Sequence, residues 1–253
     1  MIAGLFAAAV FGLAAFAAHQ GDLAGSTERT PVLLELFTSE GCSDCPPADR
    51  LLESFDKKQP VNRAQLIVLS EHVDYWNHLG WKDPYSLHLF SERQESYAAR
   101  FHVSDVYTPQ LVVDGQAQLV GSDQGAALTA IRKAIERTKV PVSVSGVSRE
   151  GSTIRLSVEA GVLPVDSGTV YVALADNEDL SQVSQGENAG HALTHVAVVR
   201  SLTSVGEAAR DRAFSRNLTV PLGLASAKDL RVIVFVQDKK SGAVLGATQA
   251  LLK

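Results

Sequence analysis

The sequence predicts an α/β domain followed by a mostly β, sandwich-like C-terminal domain. Strand-like and helix-like patterns alternate up to about residue 139, and the composition changes at Val140-Pro141. From there to residue 253 the apolar residues occur only in short alternating runs. A chain of 253 residues suits two ordinary domains. We therefore place one domain at residues 31–139 and the other at 140–253.

The first 18 residues differ from the rest of the chain. They carry no charged side chain, are rich in Ala and Gly, and include a small-x-small site at 15–17. This pattern is typical of a secretory signal peptide, and residues 19–30 form a polar spacer. The expected location is periplasmic or secreted, with no membrane span after cleavage. No Lys or Arg precedes the apolar run, so a retained membrane anchor is the alternative.

The elements of the first domain follow in order. An apolar strand is predicted at 32–37, after Pro31, and a helix at 47–58, where two lysines suit a helix C-terminus. Residues 66–69 have the length and β-branching of a buried strand. A polar and aromatic stretch at 71–90 precedes a helix that begins with a capping box at Ser91 and Gln94.

Two strands and a helix complete this domain. Residues 109–115 read as a strand running into a turn, and 118–120 pair back as a hairpin. Apolar residues at helical spacing then predict a helix ending near Thr138. The predicted order is β-α-β-α-β-β-α.

The C-terminal region contains about seven predicted strands separated by turn residues. Such a series is typical of an antiparallel β-sandwich. The runs are 142–145, 154–158, 170–174, 194–200, 218–220, 231–237 and 244–247.

Charge limits the class of partner. The formal net charge is −5, and no basic stripe runs along the sequence. These features argue against a nucleic-acid partner.

Cys42 and Cys45 are the only cysteines and form a Cys-x-x-Cys pair. At a helix N-terminus, free backbone N–H groups and the helix dipole favour a thiolate, so Cys42 would attack and Cys45 would resolve the mixed disulfide. The alternative is a structural disulfide. It would close only a short loop and constrain the unfolded chain weakly, which favours chemistry.

The order of elements around this pair resembles the thioredoxin superfamily. The pair follows a strand, precedes a helix, and is followed later by a strand starting at Thr108-Pro109. The segments FTSEGCSDCPPAD at 37–49 and GENAGHALTHVAVVR at 186–200 are similar to a family of exported thioredoxin-like proteins of unknown function. The resemblance implies a thioredoxin-like fold for the first domain. It also implies a cis Pro109 that shapes the substrate groove, and a redox role. For such a role we expect a protein or small-thiol redox partner and no cofactor.

Three positions depart from thioredoxin itself. Gly41 stands where thioredoxins have Trp, and Pro46-Pro47 follow the second cysteine, so we expect Cys45 on a turn before the helix. Asp44 places a carboxylate beside Cys42, which disfavours the thiolate and favours a reductant or isomerase-like partner over a strong oxidant.

A second hypothesis is a non-enzymatic module that binds a metal or a protein. Cys42, Cys45 and His72 could together suit copper or zinc, because His72 follows a strand at the end where the cysteine loop lies. The simpler interpretation is that His72 is a polar neighbour with its hydrogen bonds satisfied. Similarly, His195 lies in an alternating strand, where a cross-strand or interdomain polar contact is expected. The aromatic residues near 75–85 are expected to pack that segment onto the domain.

Overall fold

The computed structural model describes residues 29–225 and 229–252. The predicted signal peptide and nearly all of the spacer lie outside the described residues. The first half contains β1 (Thr30–Thr38), α1 (Pro46–Lys58), β2 (Ala64–His72), α2 (His88–Phe101), β3 (Gln110–Val113), β4 (Ala117–Val120) and α3 (Gln124–Ala134). The predicted order β-α-β-α-β-β-α is confirmed.

The second half of the chain is built of strands. These are β5 (Val142–Glu150), β6 (Thr153–Ala160), β7 (Ser167–Gln182), β8 (Ala192–Ala209), β9 (Phe214–Pro221), β10 (Leu230–Asp238) and β11 (Val244–Leu252). Strands β7 and β8 are much longer than the apolar runs that predicted them, because they continue pairing through polar residues as far as Gln182 and Ala192. Among the described residues, no helix has the length and apolar character needed to cross a membrane.

One eight-stranded mixed sheet runs through both halves of the chain, in the order β11-β10-β7-β8-β2-β1-β3-β4. Strand β1 pairs in parallel with β2 and antiparallel with β3. The two halves join where Ser70 of β2 pairs with Val198 of β8. The mixed α/β class is thus confirmed, and the sheet continues across residue 140. The thioredoxin-like fold and the division into two domains stay predictions.

A three-stranded sheet, in the order β5-β6-β9, covers one face of the C-terminal strands. Strand β10 explains this layering, because all nine of its residues are buried. Its Ile233 and Phe235 belong to the core shared with the first half, whereas Val232 and Val234 belong to the core under the small sheet. Strands with apolar side chains on both faces lie between two layers.

Helix α2 begins one turn before the expected start. It starts at His88 with Leu87 as the N-cap residue. Ser91 donates instead to Asp74 Oδ1 at 2.6 Å, and Gln94 donates to the carbonyl oxygen of Tyr107 at 2.7 Å. The predicted capping box is wrong because both side chains bind tertiary partners inside the fold.

Candidate functional site

The cysteine loop lies between the end of β1 and the start of α1. Two turns shape it: Cys42 N–H donates to the Ser39 carbonyl at 3.2 Å, and Cys45 N–H donates to the Cys42 carbonyl at 3.2 Å. Cys45 is the N-cap residue of α1, and Pro46 and Pro47 occupy its first positions. The expectation that Cys45 precedes the helix is therefore confirmed. The prolines lack N–H groups, which a first helical turn leaves unpaired in any case.

Cys42 and Cys45 are joined by a disulfide bond, with their Cα atoms 5.5 Å apart. Cys42 is 1% exposed and Cys45 is 0% exposed, although Ser43 and Asp44 between them are exposed. A disulfide at a helix N-terminus has the location that favours a thiolate after reduction. Its sulfur atoms, however, are covered by other parts of the chain.

The Thr108-Pro109 segment lies beside the disulfide. The peptide bond between these residues is cis, and the Thr108 carbonyl oxygen is 3.8 Å from Cys42 Sγ. Trp76 Nε1 donates to Thr108 Oγ1 at 2.8 Å. The structure thus brings together the cysteines and the proline that the sequence singled out, and the catalytic roles of these residues stay predictions.

Trp76 also explains why Gly41 precedes the first cysteine. A Cβ at Gly41 would lie 3.1 Å from the Cβ of Trp76, so a large side chain there would displace the tryptophan. Trp81 likewise points inward, since its Nε1 donates to Glu40 Oε2 at 2.8 Å. These tryptophans anchor the segment that joins β2 to α2, as the packing interpretation expected.

Five ionisable side chains form a buried cluster behind the cysteine loop. His195 Nε2 is 3.2 Å from Glu40 Oε1, and His195 Nδ1 is 3.8 Å from Asp49 Oδ2. His72 Nδ1 is 2.7 Å from Asp83 Oδ2, which also accepts a hydrogen bond from the backbone N–H of Glu40. The two imidazole rings meet edge to face, with centroids 4.7 Å apart. Glu40 and Asp49 flank the cysteine motif, so the cluster is attached to both ends of the loop.

Burial and charge together set the ionisation of this cluster. Burial alone would lower the pKa of His195, but the hydrogen bond to Glu40 and the charges of Asp49, Glu40 and Asp83 raise it above its usual value. Burial raises the pKa of Asp49, although both histidines oppose that shift. Burial would also raise the pKa of Asp83, but His72 and two backbone N–H donors lower it. The site therefore favours a protonated His195 between two carboxylates.

The loop between β7 and β8, residues 183–191, contacts the cysteine loop; we call it the β7–β8 strap. Asn188 Nδ2 donates to the carbonyl oxygens of Glu40 at 2.8 Å and Cys42 at 2.9 Å. Glu187 Oε2 accepts a hydrogen bond from the Ser43 N–H at 3.0 Å. The strap therefore binds backbone groups on both sides of Cys42.

Cys42, Cys45 and His72 are not arranged as a metal site, since the two cysteines form a disulfide. His72 is level with Thr38 at the end of β2, on the side of the cysteine loop as expected, but it is fully buried and paired with Asp83. Within residues 29–225 and 229–252, no three His, Cys, Asp or Glu side chains form a group that could hold a metal ion. The interpretation of His72 as a polar neighbour with satisfied hydrogen bonds holds for Nδ1 only, because the buried Nε2 has no hydrogen-bond partner among the described residues.

Sequence reasoning noticed His195 as a polar contact but missed its partners. Glu40 and Asp49 stand in the same short segment as the cysteines, yet nothing local shows that both side chains turn toward β8. Asn188 belongs to the quoted segment 186–200, and its position in a loop between long strands gave no indication of its contact with Cys42.

A family model described as "Protein of unknown function (DUF1223)" matches residues 33–237. The chain belongs to this family. The matched range includes the cysteine loop, the cis Thr108-Pro109 bond and the strap. No curated protein matches the chain.

Solved structures provide a further comparison. An X-ray crystal structure of a protein from Agrobacterium tumefaciens is 27% identical and has a TM-score of 0.66, covering 88% of this chain and 94% of its own. OgpA from Akkermansia muciniphila is 14% identical with a TM-score of 0.26, over 46% of this chain and 28% of its own. The first likeness shows a shared fold over most of both chains, whereas the TM-score of the second is too low to indicate a shared fold.

Proposed function

We propose that this chain is an exported thiol–disulfide oxidoreductase that uses the Cys42–Cys45 pair. The observation that carries the proposal is the disulfide at the N-terminus of α1, with the Thr108 carbonyl beside Cys42 Sγ. The leader-like residues 1–18 support export, where such a disulfide can persist. Membership in a family of unknown function is compatible with this role and names no activity.

The exchange reaction proceeds in two balanced steps. In the reduced protein the Cys42 thiolate attacks one sulfur of a substrate disulfide, and the other substrate sulfur leaves as a thiolate. Cys45, as a thiolate, then attacks the Cys42 sulfur and releases the second substrate thiolate. The protein is left with the Cys42–Cys45 disulfide, and the substrate gains two electrons. The same steps in reverse oxidise a substrate dithiol.

The surroundings of the pair favour a moderate redox potential over a strongly oxidising one. A strong oxidant stabilises its thiolate with neutral or basic neighbours. Here Asp44 lies inside the motif, Glu187 binds the Ser43 N–H, and Glu40 stands two residues before Cys42. These carboxylates oppose the positive end of the α1 dipole. The proposed direction is reduction or isomerisation of protein disulfides.

Two cysteine variants test the proposal. Cys42→Ser should abolish exchange with a disulfide-containing protein substrate, whereas Cys45→Ser should accumulate a mixed disulfide through Cys42 that is visible by non-reducing electrophoresis. A control substitution at an exposed serine, Ser215→Ala, should leave exchange unchanged. Exchange at the wild-type rate in Cys42→Ser would overturn the proposal.

A further inference from the structure

The burial of the disulfide raises the question of how a substrate reaches it. Thiol–disulfide exchange needs the attacking sulfur to approach the disulfide directly. Cys42 and Cys45 are 1% and 0% exposed, so no such approach exists in this conformation. Part of the chain near Cys42 must move before exchange can occur.

Three segments lie near Cys42, and they are anchored very differently. Tyr107 to Pro109 is held by hydrogen bonds from Gln94 to the Tyr107 carbonyl and from Trp76 to Thr108 Oγ1. The segment that joins β2 to α2 is fixed by buried or half-buried groups, among them Asp83, whose carboxylate binds His72, Glu40 and Tyr85. Within the β7–β8 strap, by contrast, only Val183 and Asn188 are buried. A segment with few buried contacts opens at lower free energy than one held by a buried network.

The strap is held to the cysteine loop by a small set of hydrogen bonds. Asn188 supplies two, to the carbonyl oxygens of Glu40 and Cys42, and Glu187 accepts one from the Ser43 N–H. A Cβ at Gly186 would lie 3.0 Å from Trp81 Cβ, so the strap lies directly on that side chain. Displacing the strap would break these three bonds without disturbing the buried ion pairs.

We propose that the β7–β8 strap is a displaceable cover over the disulfide, that Asn188 is the positioning residue that holds it closed, and that an extended polypeptide substrate takes its place. This inference rests on the proposed function and adds a substrate class to it. Opening frees the Glu40 carbonyl and the Ser43 N–H, and it leaves the Cys42 carbonyl bonded only to the Cys45 N–H, with room for a second donor. An extended chain has backbone N–H donors and C=O acceptors that can pair with these groups.

The first test measures reduction of the Cys42–Cys45 disulfide by dithiothreitol. One dithiothreitol thiolate attacks the disulfide, its second thiol completes the exchange, and the products are cyclic oxidised dithiothreitol and two protein thiols. If opening limits the reaction, the rate reaches a plateau as dithiothreitol increases. In Asn188→Ala the plateau should rise roughly tenfold, because two hydrogen bonds that close the strap are lost.

Matched variants separate an effect on the strap from a general loss of structure. Glu187→Ala changes an exposed residue and should raise the plateau by a smaller factor, whereas Asn217→Ala, an exposed asparagine in β9, should leave it unchanged. The equilibrium constant with dithiothreitol should be equal in wild type, Asn188→Ala and Asn217→Ala, since the cover changes access and not redox balance. Glu187→Ala also removes a carboxylate near the pair and should shift the equilibrium toward the dithiol. If the rate rises linearly with dithiothreitol, and equally in wild type and Asn188→Ala, the proposal that the strap covers the disulfide is wrong.

The second test addresses the polypeptide substrate. The probe is an unstructured peptide with one internal disulfide, offered to the reduced protein in parallel with oxidised glutathione. Asn188→Ala should accelerate exchange with the peptide more than exchange with glutathione, because each half of oxidised glutathione has only two amide groups and cannot form an extended strand along the freed groups. Equal acceleration would overturn the polypeptide assignment. If reduction by dithiothreitol reaches a plateau that rises in Asn188→Ala, but no exchange with the peptide occurs, the strap is a cover and the proposed function is wrong.

Discussion

The imidazole of His195 lies 3.2 Å from the carboxylate of Glu40, although the two residues are 155 positions apart in the chain. Glu40 stands two residues before Cys42, and His195 belongs to β8 in the second half of the protein. Both side chains are fully buried. The contact therefore ties the C-terminal strands to the loop that carries the disulfide.

Glu40→Gln tests the charge of this contact. His195 has a raised pKa in the folded protein, so its protonation adds stability below about pH 6.5, and this stability is lost as pH rises through the folded pKa. Gln removes the carboxylate charge and keeps an oxygen that can accept from Trp81. The variant should lose roughly 1–3 kcal/mol at pH 6 and show a weaker pH dependence of unfolding.

Urea denaturation between about pH 5.5 and 8.5 measures this pH dependence. Glu178→Gln is the matched control, because the same change is made at an exposed carboxylate on β7. The titratable groups around His195 are Glu40, Asp49, Asp83, His72, Tyr85 and Asp179. If Glu40→Gln and wild type lose stability in parallel with rising pH, the carboxylate does not control the proton on His195.

Asp44→Asn should increase the reactivity of Cys42 in the reduced protein. The carboxylate between the cysteines disfavours a thiolate, and its removal should raise the thiolate fraction at neutral pH. Because Asp44 is exposed, we expect the reaction rate of Cys42 to rise only about two- to threefold, and this increase should be smaller in high salt. The rate of alkylation by iodoacetamide at low and high salt measures it, at reagent concentrations where the rate is still proportional to iodoacetamide and opening of the strap does not limit it. Asp211→Asn, at an exposed position after β8, should change nothing, and a slower reaction in Asp44→Asn would contradict the electrostatic argument.

Arg93→Met should strongly destabilise the fold. Arg93 Nε donates to Glu35 Oε2 at 2.6 Å, and its guanidinium lies 3.6 Å from buried Glu71. Burial and the neighbouring Glu35 raise the pKa of Glu71 well above its usual value, so Arg93 is the cation that balances Glu35. Removing one partner of a buried pair costs about 3–5 kcal/mol.

Urea denaturation of four variants, Arg93→Met, Glu35→Met, the double variant and Arg100→Met, checks the Arg93 prediction. Arg100→Met, two helical turns further along α2 and more exposed, should cost far less. The double variant Arg93→Met with Glu35→Met should recover part of the loss, because no buried charge remains unpaired. If the double variant loses at least as much stability as Arg93→Met and Glu35→Met lose together, this pairing is ruled out.

The local features of the site were predictable from sequence because short-range rules govern them. The helix after Cys45 follows from apolar spacing and from Pro46-Pro47, and the strand after Pro109 follows from its β-branched run. The predicted end of β2 correctly indicated that His72 lies on the side of the cysteine loop. These inferences use only neighbours within about a dozen residues.

The long-range features were not predictable in the same way. The contact of His195 with Glu40 depends on β8 joining β2, which a single pairing of Ser70 with Val198 establishes. The apolar pattern of a strand shows which faces are buried, but it does not name the neighbouring strand. The contact of Asn188 with the cysteine loop was missed for a related reason, since its place depends on how far β7 and β8 extend. The start of α2 was misplaced because Ser91 binds Asp74 in place of a cap.

The reduction potential of the Cys42–Cys45 pair tests the central claim most directly. It is measured by equilibrating the folded protein with dithiothreitol mixtures of defined ratio and titrating the free thiols. An exchange site with acidic neighbours should lie above about −300 mV and below about −120 mV, the value of a strong oxidant. A potential below about −300 mV, typical of structural disulfides, would contradict the account and make the pair a structural link.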